Sequence, residues 1–311
     1  MNQLPERDLP PGRHRLLKEH LMTEIRHTGE APASTPAAAP ARRRDRRLRP
    51  ALIAGAAAAL VATLTVALPS SGESAPAASK EAVALLEDIA LAAEKADEPA
   101  DIRDDQFVYI KSKGGWTTHL GDDRPAELQP VHQRELWVSV DGSQAGMLHD
   151  PYARSDHELL EKQTPGIPSN TSYRHLETLP TDPDEMFEWL NKVSEGGDSK
   201  DEANFVLVGD LSRESLMPPA QAAALYRAAA RIDGVFVVDD AVDAIGRHGV
   251  AVARVDGAER TELIFDKKTK EFLGERVVLV EDVPWGFEKG DVTGRFAVLE
   301  RAVVDKRGQR P

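Results

Sequence analysis

Residues that could do chemistry are thinly spread along this chain. Its 311 residues include no cysteine, which removes thiol nucleophiles, Cys-ligated zinc and disulfides together. Six histidines follow residue 70: His119, His132, His149, His157, His175 and His248. Of these, His149-Asp150 with Asp156-His157 forms the one metal-like cluster; its spacing matches no standard site, and surface loop residues account for it equally well. Asp239, Asp240 and Asp243 resemble a calcium loop in composition, but the following Gly and distal Glu are missing, so they read as the solvated part of a strand-to-helix turn. Gly142-Ser143-Gln144-Ala145-Gly146 sets its serine one place early for a nucleophile elbow, and no serine has Lys three residues later. H-E-x-x-H, a phosphate-binding glycine loop and a dinucleotide fingerprint are all missing. The expectation is a protein that is not an enzyme and holds no cofactor or metal. An anchored hydrolase would need a clustered nucleophile and base that the sequence does not display.

What the sequence does position is a topology. Residues 51–68 read ALIAGAAAALVATLTVAL, eighteen residues without a charge. At ~1.5 Å per residue a helix of that length spans about 27 Å, near the ~30 Å hydrocarbon thickness of a bilayer. Arg42, Arg43, Arg44, Arg46, Arg47 and Arg49 precede it, whereas the twenty residues after it hold only Lys80. The positive-inside rule then keeps residues 1–49 in the cytoplasm and exports residues 70–311. A cleaved signal peptide competes, with Ala75-Pro76-Ala77 as small residues for a peptidase, but such signals lie within the first ~15–30 residues. The expected domains are a cytoplasmic arm (1–49), a transmembrane helix (50–69) and an extracytoplasmic domain (70–311). Localisation is therefore the cell membrane, single-pass.

Charge divides at the same place. Residues 1–49 hold eleven basic and six acidic residues, and the remainder holds 28 and 46. The exported part offers no basic surface for phosphates, which argues against nucleic acid as its partner. Within the span, Ala51, Gly55 and Ala59 make a small-xxx-small row that permits close helix packing, although an Ala-rich segment produces such rows by composition. In the arm, Leu17, Leu21 and Ile25 recur at i+4 and form one narrow apolar stripe after Pro10-Pro11-Gly12. A lone helix of this length is marginal in water. It is suited equally to docking a cytosolic protein or to lying on the inner leaflet. Residues 30–41 are an Ala/Pro-rich tether.

The exported part reads as strands, then helices, then a strand meander. Ser79 caps an expected helix to about residue 96, with Val83, Leu86, Ile89 and Ala93 inward. Residues 107–111 and 116–120 read as strands around Gly114-Gly115. Residues 135–140 alternate, with Leu136, Val138 and Val140 on one face, and Asp141-Gly142 turns into residues 145–149. A polar loop covers 150–180. Asp182 caps the next helix, with Pro183 at its first position, Glu185 three residues past the cap, and Phe187, Leu190 and Val193 inward. Helices over 200–214 and from Pro218-Pro219 to near Gly234 follow, the latter burying Ala222, Leu225, Ala229 and Ile232. Strands are then expected at 235–238, 250–255, 261–265, 271–280 and 295–303. Trp116, Trp137, Trp189 and Trp285 read as core or sheet-face anchors. The fold class is α+β: one transmembrane helix, then an exported domain whose curved antiparallel sheet is covered by helices.

Residues 9–26 (LPPGRHRLLKEHLMTEIR), the tether, the arginine block and the single span resemble an uncharacterised family of actinobacterial membrane proteins found beside extracytoplasmic-function sigma factors. Residues 217–235 (MPPAQAAALYRAAARIDGV) and 263–278 (LIFDKKTKEFLGERVV) extend the resemblance. It implies a regulatory, envelope-sensing role, with the stripe of Leu17, Leu21 and Ile25 engaging a sigma factor or other cytoplasmic regulator. The order of elements and the Asp266…Thr269 turn are similar to the LolA/RseB lipoprotein-carrier fold. That likeness implies a lipid or envelope ligand for the exported domain, or a membrane-anchored carrier without cytoplasmic signalling.

Overall fold

The computed structural model describes residues 75–118, 126–152, 158–160, 162 and 170–311. Leu17, Leu21, Ile25, Ala51, Gly55 and Ala59, with the whole of 51–68, lie outside the described residues, as do His119, Asp156 and His157. Among the described residues no helix is long and apolar enough to cross a membrane.

The domain is α+β with an antiparallel sheet. Among the described residues the helices are α1 (Lys80–Ala93), α2 (Tyr173–Leu176), α3 (Pro183–Val193), α4 (Lys200–Arg213) and α5 (Pro219–Ala229). The strands are β1 (Phe107–Thr118), β2 (Glu127–Leu128), β3 (His132–Ser139), β4 (Gly146–His149), β5 (Glu158–Leu160), β6 (Phe236–Val242), β7 (His248–Asp256), β8 (Glu259–Phe265), β9 (Phe272–Leu279) and β10 (Val292–Val304). They run in the order β5-β4-β3-β1-β10-β9-β8-β7-β6, and β2 pairs with β1 off this path. The late strands thus form a simple meander, while β1 inserts between β3 and β10.

Local chemistry sets the helix starts. Ser79 Oγ accepts from the Ala82 amide at 3.1 Å, and Asp182 Oδ1 accepts from the Asp184 and Glu185 amides at 2.8 and 3.1 Å. Each satisfies donors that a helix start leaves without an intrahelical partner. The chain entering α1 is pinned to the sheet side: the Gly234 amide donates to Pro76 O at 2.6 Å, and the Ser79 amide to Val235 O at 2.8 Å.

α1, α3, α4 and α5 bury their apolar stripes together against Val252, Leu263 and Phe265. A second cluster on the same side joins Val108, Ile110, Leu136, Val138 and Leu160 to Tyr173 of α2. The opposite face carries two smaller clusters, one built on Phe107, Tyr109, Trp137 and Val304, the other on Ala241, Ala251, Ile264 and Leu273.

Four details depart from the sequence reading. Gly114-Gly115 does not turn the chain; both lie inside β1, where a Cβ on Gly115 would come within 2.5 Å of Gln129 O. The glycines there permit close backbone approach. Val83 is exposed and Leu85 takes the buried place, because the core contacts α1 slightly off the expected stripe. Asp239, Asp240 and Asp243 do not precede a helix: the first two lie in β6 and Asp243 in its hairpin with β7, where its carboxylate pairs with Arg247 at 2.6 Å. The 150–180 region contains β5 and α2 rather than loop alone.

Candidate functional site

A cleft of ≈ 210 Å³ opens where the two helix-side clusters meet. Leu225 and Tyr226 from one cluster and Tyr173 and Leu216 from the other line it, with Ala93, Ala96, Met217, Ala222 and Phe272 completing apolar walls. It lies at the C-terminal end of α1, about 20 Å along that helix from the pinned entry at Ser79. Two stretches singled out in the sequence converge here: Met217, Pro218 and Pro219 at the start of α5, and Thr269 and Lys270 of the β8–β9 turn. In that turn Asp266 Oδ1 accepts from the Lys268 and Thr269 amides at 2.7 and 2.8 Å, and Lys270 closes it at φ 63°.

Arg301 stands at the sheet side of the cleft. Its place depends on a bulge in β10: Lys111 pairs with Glu300 but Ser112 with Val298, so Leu299 is the extra residue. Phe296 faces the helices before the bulge, and the parity change brings Arg301 to the same side after it. Arg301 Nε donates to Ser215 O at 2.8 Å and Nη2 to Ser212 O at 2.6 Å. Both acceptors lie at the C-terminal end of α4, where free carbonyls favour a cation. Burial lowers the pKa of Arg301, opposed by nearby Tyr226 and Glu271.

α4 is held at this height by Arg213. Its guanidinium lies over the Trp116 and Phe296 rings, 5.5 and 5.6 Å from their centroids, and donates to Glu275 at 2.8 Å and Asp210 at 2.5 Å. Gly209 lets the helix approach the sheet, since a Cβ there would meet Leu263 at 3.1 Å.

The outer rim is acidic. Glu94, Glu98 and Glu177 border an adjoining depression with Pro218 and Gln221. Tyr173 donates to Glu98 at 2.5 Å, and burial together with that bond pushes the phenol well above its ordinary value. Ser212 and Ser215 direct their hydroxyls back to Val208 O and Leu211 O. The cleft thus combines apolar walls, the half-buried Arg301 guanidinium and a carboxylate rim.

Sequence-selected residues fall elsewhere. Asp150 bonds to Arg134 at 2.8 Å and to His132 at 3.1 Å, a structural network beside β3. His248 faces Asp240 at 3.1 Å on the surface. Among the described residues no group of three or more His, Asp or Glu is placed to hold a metal ion. Trp137 is buried and Trp116 is half-buried against Arg213, whereas neither lines the cleft. Arg301 escaped the sequence reading because a bulge leaves no local signature.

The chain matches no protein-family model, no curated protein and no solved structure.

Proposed function

We propose that this chain is a single-pass membrane protein whose α+β domain stands outside the cytoplasm, binds an envelope ligand or partner, and serves sigma-factor-associated regulation. The observation that carries the reading is the uncharged run at 51–68, with six arginines before it and Lys80 alone in the twenty residues after it. The domain fits that position. Six residues separate Leu68 from Ala75, a reach of at most about 25 Å. On this reading the entry at Pro76 and Ser79 would lie near the bilayer, with the cleft at the other end of α1. In the arm, Leu17, Leu21 and Ile25 would contact the cytoplasmic regulator, and Ala51, Gly55 and Ala59 would pack spans together.

The apolar walls of the cleft favour a second reading, an anchored carrier of lipid or lipoprotein without cytoplasmic signalling. Reporter fusions test the shared topology: a phosphatase active only in the periplasm should be active when joined after residue 311 and silent at residue 49. The reverse pattern would sink both readings. Replacing Leu17, Leu21 and Ile25 with Asp then separates them, because loss of co-purification with the sigma factor is expected only for the regulator.

A further inference from the structure

On the sheet face away from the helices, Glu135 is fully buried within β3. Across its two ladders it pairs with Lys111 and His149. On its own face Tyr109 lies diagonally on β1 and Trp137 two residues along β3, and their rings, 5.2 Å apart, are almost fully buried. Tyr109 donates its hydroxyl to Glu135 Oε1 at 2.6 Å. The cation that answers this carboxylate comes from 175 residues away: Arg310 donates Nε to Oε1 at 2.6 Å and Nη2 to Oε2 at 2.7 Å. One residue earlier, Gln309 O accepts the Trp137 indole N–H at 2.6 Å. The sheet therefore reads a main-chain carbonyl and the guanidinium of the following residue together. The planar two-point fork selects arginine over lysine.

Receptor and occupant are built differently. Glu135, Tyr109 and Trp137 are set by strand pairing, with Tyr109 directly opposite Trp137. Residues 305–311 pair with no strand and are exposed, and the Arg310 side chain is 63% exposed. Arg103, Gln106 and Ala145 supply their other holds, at 2.9 Å each. A carboxylate held in place by strand pairing and covered by the tail calls for a cation, and the exposed segment supplying it is of the kind that opens locally at low cost.

We propose that Glu135, Tyr109 and Trp137 form a recognition site for an arginine-bearing peptide segment of a partner protein, which Arg310 occupies in cis until that segment displaces it. The acidic balance of residues 50–311 favours approach of a basic peptide. The site is on the opposite face from the cleft and does not depend on which compartment the domain occupies.

The test uses the chain shortened after Asp305 and the unshortened chain, with a fluorescent KRGQRP peptide followed by anisotropy. The shortened chain should bind it. The unshortened chain, and the peptide with citrulline for its second arginine, should each bind about tenfold more weakly, the loss of one charge-assisted pair. Equal binding of the arginine and citrulline peptides, or no binding to a folded shortened chain, overturns the proposal. So does a concentration-dependent dimer of the unshortened chain that disappears on shortening, because the occupant is then a second copy. Should the shortened chain fail to fold, Arg310→Ala in the unshortened chain decides. Ethylguanidinium should raise its melting temperature, ethylammonium should not, and Arg310→Ala/Glu135→Gln should respond to neither; any other pattern refutes the site.

Discussion

Acid should loosen the contact between Arg310 and Glu135 in a defined interval. The two hydrogen bonds from Arg310 are the main cause holding the Glu135 carboxyl down at about 2, against burial, with Tyr109 adding to the effect. Unfolded, the group titrates near 4.5. The native state therefore binds the proton less readily than the unfolded state, so the stabilisation is complete above 4.5 and is lost as pH falls from there towards 2. The separation of the two values corresponds to a ceiling of roughly 3 kcal/mol for Glu135. Because the facing guanidinium is largely in water, screening brings the expectation to about 1–2 kcal/mol. Urea unfolding of wild type and Glu135→Gln, repeated between pH 7 and pH 2.5, should show that difference undiminished down to about pH 5 and largely gone at the acid end. Arg310→Ala should follow the same profile, and the double variant should cost no more than either single change. A difference that stays flat with pH, or widens in acid, would refute the reasoning.

Two further outcomes follow from packing. Gly274→Val should lower stability by about 2 kcal/mol or more, measured by thermal unfolding, since a Cβ there would meet Phe296 O in β10 at 2.0 Å and the ladder must shift. Ala222→Trp should fill the cleft from α5, so that any molecule co-purifying with the unaltered chain by mass spectrometry is lost while the far-ultraviolet circular dichroism is retained.

Local grammar was legible and distant closure was not. The caps at Ser79 and Asp182 and the Asp141-Gly142 turn could be read because each bond joins residues within a few positions. Alternation along β3 correctly put Leu136 and Val138 on one face, and that face meets α2. The same alternation sends Glu135 and Trp137 to the other face; Trp137 reads as an anchor and is buried, whereas for Glu135 a strand pattern alone suggests solvent. Gln309 and Arg310 bond to both, and no local spacing announces that. Arg301 was hidden for a related reason: one extra residue at Leu299 reverses every later side chain in β10.

The strand order also sets the sequence separations that folding has to bridge. β1 is flanked by β3 on one side and β10 on the other, and just outside that second ladder Gln106 meets Asp305, 199 residues apart. The middle of the sheet must wait for this long loop to close, whereas the β6–β9 hairpins and the helix pairs can form from neighbours. Until β10 pairs with it, a strand in the position of β1 has one open edge, the kind of surface on which chains associate. A central pairing of such sequence separation raises the contact order of the whole sheet above that of its hairpins.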